Sequence, residues 1–175
     1  MADKVRARLM NLRLAVFDLD GVLTDGKIWV TAEGHELRSM DVRDGYALAR
    51  AAETGLPVWV ISGANPPGVR QRLERLGVQE ISLGIRDKAA EWKRLLEKHQ
   101  IDPAEALYMG DDLPDLPVLR LAGLAACPQD AAPEVVAAAH YVVPRAGGSG
   151  CVRQLLEECL RLKGVWQNPS DLPAT

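Results

Sequence analysis

The stretch Leu14-Ala15-Val16-Phe17-Asp18-Leu19-Asp20-Gly21-Val22-Leu23-Thr24-Asp25 runs four apolar residues straight into two aspartates set one residue apart. A short apolar run stopped by polar residues and glycine reads as a buried strand whose C-terminal end opens into a loop. Further runs of the same kind follow at Val58–Ile61, Ile81–Leu83, Leu107–Met109, Leu124–Ala126 and Tyr141–Val143. Helical stretches lie between them. Tyr46–Thr54 stops at Gly55, and Pro67–Leu76 carries proline in its first turn and Gly77 beyond its last. Lys88–His99 sets Trp92, Leu95 and Leu96 among charges, and Val152–Leu162 repeats that amphipathic spacing. This alternation predicts βαβ units: an α/β fold with three Rossmann-like layers around a parallel sheet. From Thr24 to Asp41 the texture changes to alternating residues broken by Asp25-Gly26 and Glu33-Gly34, which predicts a small β-hairpin projecting from the sheet.

A chain of 175 residues, 47% of them hydrophobic, fits one core, so a single domain over 1–175 is expected, with its core at about 12–163. The tail at 167–175, with two prolines, is expected to be flexible. A formal net charge of -3 without any Lys/Arg run excludes a general nucleic-acid binder. No apolar run approaches the ~20 residues of a membrane span, and the opening residues lack a signal-type apolar stretch. A cytoplasmic protein with no membrane contact is the expectation. Cys127, Cys151 and Cys159 have no paired spacing and read as reduced core thiols.

In a parallel α/β sheet, ligands are met beyond the C-terminal strand ends. Asp18 and Asp20 follow the first run, Ser62 and Gly63 the second, and Asp111 and Asp112 the Leu107 run. Lys88 opens a helix close enough to reach the same edge. Phosphate-ester cleavage needs a nucleophile, a proton donor for the leaving oxygen, and positive charge against the transferring group. Asp18 is the candidate nucleophile and Asp20 the group that gives and then takes a proton. Magnesium would be held by Asp18, the main-chain carbonyl of Asp20, and Asp111, with Asp112 and Asp115 behind them orienting waters, Asp111 or Lys88. Ser62, Gly63 and Lys88 would receive the phosphoryl oxygens. Each piece alone has an ordinary reading: a solvated Asp-x-Asp turn, a Ser-Gly loop, an acidic helix start, a surface lysine. Their order along the chain is what points to phosphoryl transfer.

Asp18-Leu19-Asp20-Gly21-Val22-Leu23-Thr24-Asp25, Ile61-Ser62-Gly63, Lys88 and Gly110-Asp111-Asp112-Leu113-Pro114-Asp115 resemble the four motifs of the haloacid dehalogenase superfamily of phosphatases. The resemblance covers Leu12 to about Lys163. Within that superfamily, Asp41-Val42-Arg43-Asp44-Gly45-Tyr46, Arg72 before Leu76-Gly77, and Gly147-Gly148-Ser149-Gly150-Cys151-Val152-Arg153 are similar to the phosphatases of 3-deoxy-D-manno-octulosonate 8-phosphate. The resemblance implies a sugar-acid phosphate substrate from lipopolysaccharide precursor synthesis, a magnesium cofactor and an aspartyl-phosphate on Asp18. It also implies a homotetramer in which the hairpin and a neighbour's C-terminal segment close each site. Spacing agrees, since neither Asp20 to Ser62 nor Lys88 to Asp111 leaves room for a separate cap domain.

Two departures stand out. Many family members carry arginine where this chain has Ala64, and a basic residue where it has Ser149. Arg43, Arg70 and Arg72 remain as candidates to meet a substrate carboxylate. The alternatives are a phosphatase for a related nonulosonate 9-phosphate and a non-catalytic oligomerisation module of the same fold. A signalling receiver domain is disfavoured by order, because its phosphorylated aspartate follows the third strand.

Overall fold

The computed structural model describes residues 3–166, so the tail at 167–175 lies outside the described residues. The elements are α1 (Asp3–Met10), β1 (Leu14–Phe17), β2 (Trp29–Val30), β3 (Glu36–Leu37), α2 (Val42–Glu53), β4 (Val58–Ile61), α3 (Pro67–Arg75), β5 (Glu80–Ser82), α4 (Lys88–His99), β6 (Ala106–Met109), α5 (Leu116–Leu119), β7 (Leu124–Pro128), α6 (Pro133–Ala138), β8 (Tyr141–Val143) and α7 (Cys151–Leu162). Strands β1 and β4–β8 form one six-stranded sheet in the order β5-β4-β1-β6-β7-β8, every pairing parallel.

The chain therefore winds outward from β1 through β4 to β5, then returns to the other side of β1 and winds outward again. The reversal beside β1 is the switch point, where the loops after β1, β4 and β6 open onto one crevice.

Strands β1, β4 and β6 are buried on both faces, as a parallel sheet covered by helices requires. Ala15, Phe17, Val58, Val60, Leu107 and Met109 pack with α1, α2, α3 and α7. Their neighbours Leu14, Val16, Trp59, Ile61, Ala106 and Tyr108 pack on the opposite side with Trp92, Leu95 and Leu96 of α4 and with α5 and α6. The strand period of two assigns each strand residue to one layer or the other.

Three helices were not anticipated. α1 contributes only Val5 and Leu9 to the core from a highly charged segment, while α5 and α6 are four and six residues long, too short to show a period. α2 begins at Val42 rather than Tyr46, because Asp41 caps it by accepting from the Arg43 amide at 2.7 Å. The hairpin is shorter than the expected 24–41 span. Only Trp29↔Leu37 and Val30↔Glu36 pair, across a turn closed by the Thr31 amide on the His35 carbonyl. Thr24 and Gly26 are instead tied down against the loop that follows β1. All four paired hairpin residues are exposed.

Candidate active site

The Asp18 amide donates to the Met109 carbonyl at 2.9 Å, extending the β1–β6 ladder one residue past the strand and fixing the main chain there. The next residues make a wide turn in which Gly21 has φ of 85°, and a Cβ on Gly21 would overlap the Asp111 carboxylate. Thr24 knits the turn together: its Oγ1 accepts from the Gly21 and Gly26 amides and donates to Asp20 Oδ1 at 3.2 Å. Gly147 presses on the same turn from the loop before α7, where a Cβ would collide with the Gly21 carbonyl.

Lys88 is the first residue of α4, placed there by Asp87, whose side chain accepts from the Ala90 amide at 2.9 Å. Its ammonium is nearly buried and sits 2.8 Å from Asp18 Oδ2 and 2.7 Å from Asp115 Oδ1. Asp115 is fully engaged. Its Oδ1 also accepts from the Tyr108 hydroxyl at 2.7 Å, and its Oδ2 accepts from the amides of Asp111 at 3.0 Å and Asp112 at 3.3 Å. It thus aims Lys88 and fixes the main chain that presents Asp111. The Asp112 side chain caps the Leu113–Asp115 turn.

Carboxylate oxygens of Asp18, Asp111 and Asp115 all lie within 4.8 Å of one another. Asp18 Oδ1 and Asp111 Oδ1 are buried without any partner among the described residues. Burial, with Asp115 beside it, pushes the Asp18 carboxyl up to about 7 against the pull of Lys88. Burial and the charges of Asp18 and Asp115 likewise push Asp111 up to about 7. Burial works against the Lys88 ammonium too, yet Asp18 and Asp115 hold its pKa above the ordinary lysine value. One fixed cation therefore serves three crowded carboxylates, two of them with an idle buried oxygen. That donor set fits a hard divalent cation such as magnesium.

Ser62 closes the opposite wall at the end of β4. Its hydroxyl oxygen accepts from the Ala64 amide at 3.2 Å, which leaves the hydroxyl proton free to donate. Asp18, Asp20, Ser62, Gly63, Lys88, Asp111, Asp112 and Asp115 all line one cleft of about 350 Å³, joined by Arg86 and Ala64. The structure thus brings every expected phosphate, metal and proton-transfer residue together.

The three substrate arginines do not converge on that cleft. Arg43 is paired with Asp41 at 3.0 Å and lines a different cavity beside Ser149 and Arg153, at the start of α7. Arg70 donates to the Ile81 carbonyl at 3.1 Å. Arg72 lines a cavity of about 760 Å³ between the hairpin and α3, with its Nε buried and unpartnered among the described residues. Tyr108, Thr24 and Arg38 were missed. Arg38 grips Asp20 by a forked ion pair, with Nε at 2.9 Å from Oδ1 and Nη2 at 3.1 Å from Oδ2. A tyrosine in a core strand and an arginine in a hairpin carry no local signal of these contacts.

The family profile of haloacid dehalogenase-like hydrolases matches residues 80–155. The chain is 38% identical over 160 residues to the 3-deoxy-D-manno-octulosonate 8-phosphate phosphatase of Escherichia coli strain K12, covering 91% of this chain and 85% of that protein. The solved structure of the Yersinia pestis phosphatase of the same name superposes with a TM-score of 0.92 at 35% identity, covering 95% of this chain and 90% of that one. A Moraxella catarrhalis phosphatase of that name, solved with magnesium ion, phosphate ion and a KDO molecule, superposes with a TM-score of 0.91 at 30% identity over 95% of each chain.

Proposed function

The chain belongs to the haloacid dehalogenase-like hydrolases, as a phosphatase of the 3-deoxy-D-manno-octulosonate 8-phosphate phosphatase type, and from that premise we propose that it hydrolyses this phosphomonoester through an aspartyl-phosphate. The observation that carries the reading is the pairing of idle buried oxygens on Asp18 and Asp111 with a lysine that touches Asp18 on its other oxygen.

Asp18 attacks phosphorus, and the bond to the sugar oxygen breaks as Asp20 delivers a proton to that oxygen. Water then gives a proton back to Asp20 and attacks the acyl phosphate, releasing inorganic phosphate and restoring Asp18. Lys88 and Ser62 hold the phosphoryl oxygens throughout, with the Gly63 main chain beside them. Magnesium, held by Asp18, Asp111 and the Asp20 carbonyl, would offset the repulsion between carboxylate and phosphate dianion. Asp112 and Asp115 act from behind these groups.

The sugar-acid end of the substrate has Arg72 within the neighbouring cavity as the best-placed candidate. Arg43 and Arg70 reach a carboxylate only if a second copy of the chain brings them to it. A homotetramer supplies such a copy and covers the exposed Ile28, Trp29, Val30, Leu37 and Val42. Ala64 at the cleft rim and Ser149 favour a second reading, in which a nonulosonate 9-phosphate is the preferred ester.

The test is phosphate release from eight- and nine-carbon sugar-acid phosphates and simple sugar phosphates, with magnesium and with a chelator. Preference for the eight-carbon ester, lost on chelation and absent in Asp18→Asn, is expected. Release that is unaffected by Asp18→Asn would defeat the mechanism, and no magnesium-dependent release from any ester would leave a binding module. Light scattering checks the tetramer.

A further inference from the structure

The hairpin strands expose every side chain of their ladder, yet Arg38, the next residue after β3, has a side chain only 3% exposed. Its guanidinium turns inward and donates to both oxygens of Asp20: Nε lies 2.9 Å from Oδ1 and 3.1 Å from Oδ2, and Nη2 lies 3.1 Å from Oδ2. Nη2 also reaches Glu36 at 3.2 Å, whereas Nη1 is buried with no partner among the described residues. Asp20 Oδ1 takes one further bond, from the Thr24 hydroxyl. Tying a guanidinium on the wall of the cavity between hairpin and α3 to one part-exposed carboxylate and one half-exposed glutamate contributes little to stability, and it leaves an N–H idle. What a fork of this kind does supply is orientation, because a planar donor pair fixes the plane of the carboxyl it grips.

We propose that Arg38 is a positioning residue for proton transfer by Asp20, and that the hairpin is the mount that carries it. The inference rests on the reading of Asp20 as the acid and base of the reaction. When Asp20 is ionised, Arg38 holds both oxygens. When Asp20 carries the proton, one oxygen still accepts from Arg38 and the other, bearing the O–H, is turned to the leaving oxygen. The guanidinium thus keeps the carboxyl plane fixed through both halves of the cycle, and Thr24 limits its rotation. Seating of the hairpin becomes a condition for leaving-group protonation, with no contact between Arg38 and the phosphate.

The experiment compares two substrates in wild type, Arg38→Met, Arg38→Lys, Asp20→Asn and the Arg38→Met/Asp20→Asn double variant. An alkyl ester such as the sugar-acid phosphate needs its leaving oxygen protonated, whereas 4-nitrophenyl phosphate releases a stabilised anion that does not. General acid catalysis contributes about 10²–10⁴-fold. Arg38→Met is expected to lower kcat/KM, which reports leaving-group departure and not the later hydrolysis that both esters share, at least tenfold more on the alkyl ester than on the aryl ester. Arg38→Lys, which keeps the charge and loses the fork, falls between, and the double variant is no slower than Asp20→Asn. The ratio of the two rates does not depend on the fraction of enzyme folded, so a destabilised variant still reports. Equal losses on both esters, or losses that multiply in the double variant, would overturn the role of Arg38. Failure of the underlying reading is separate: Asp20→Asn would then itself show no preference for aryl over alkyl esters.

Discussion

Replacing Lys88 by methionine keeps the length of the side chain and deletes the cation that touches Asp18 at 2.8 Å and Asp115 at 2.7 Å. Removing one partner of a buried ion pair costs about 3–5 kcal/mol, because the remaining charge is left uncompensated. At about 2–4 °C per kcal/mol for a chain of this size, the melting temperature at pH 8 should fall by roughly 6–20 °C. The loss is pH-dependent. Burial already raises the Asp18 carboxyl to about 7 with Lys88 in place, and without the ammonium it goes higher. A carboxyl whose folded pKa lies above its unfolded value binds more protons folded than unfolded, so stability falls as pH rises through that window. At pH 5.5 the Asp18 carboxyl is protonated and no longer needs Lys88, so its share of the deficit disappears. Turnover should drop by at least about 10²-fold, the usual scale for losing one charge that meets the transferring group. Calorimetric melts in chelator at pH 5.5 and 8, with a phosphate-release assay beside them, read both effects. A deficit equal at the two pH values, or a rate within tenfold of wild type, would refute the assignment of Lys88 as the counter-charge of the cluster.

Magnesium must compete with protons on Asp18 and Asp111, both pushed up to about 7, so its affinity measured by titration calorimetry should weaken as pH falls from 8 to 6, with proton release on binding. Tyr108→Phe removes the 2.7 Å bond to Asp115 Oδ1 and should cost about 1–2 kcal/mol in chemical denaturation. Because Lys88 and two amides still hold Asp115, its rate should fall less than tenfold. Gly147→Ala places a methyl against the Gly21 carbonyl. Its kcat should fall at least tenfold as the Asp18–Asp20 turn shifts, whereas Gly164→Ala, where a Cβ meets nothing, should leave kcat unchanged.

Much of the site was legible because its chemistry is local to strand ends. Asp18 and Ser62 each follow a buried apolar run directly and Asp111 follows one after a single glycine, and a parallel sheet sends all such ends to one edge. The role of Asp115 was legible only as a place behind the metal. That it locks Lys88 depends on Tyr108, which lies on the α4 side of β6 and looks like any core aromatic in sequence. The substrate arginines illustrate the converse. Arg43 reads from sequence as a candidate for the substrate carboxylate, but Asp41 caps α2 and binds the guanidinium itself, holding it at the α7 side of the molecule.

By itself the sequence determined the alternation of strands and helices, the long core helices and the set of acids, hydroxyl and lysine that the cleft contains. Those features rest on periodicity, capping and motif order, which act over a few neighbouring residues. Tertiary structure alone decided that the chain reverses beside β1, that Lys88 meets an aspartate 27 positions away, and that Arg38 folds down from an exposed hairpin onto Asp20. Charge pairing is set by distance in space, and no property of a residue's chain neighbours encodes which loop will arrive beside it.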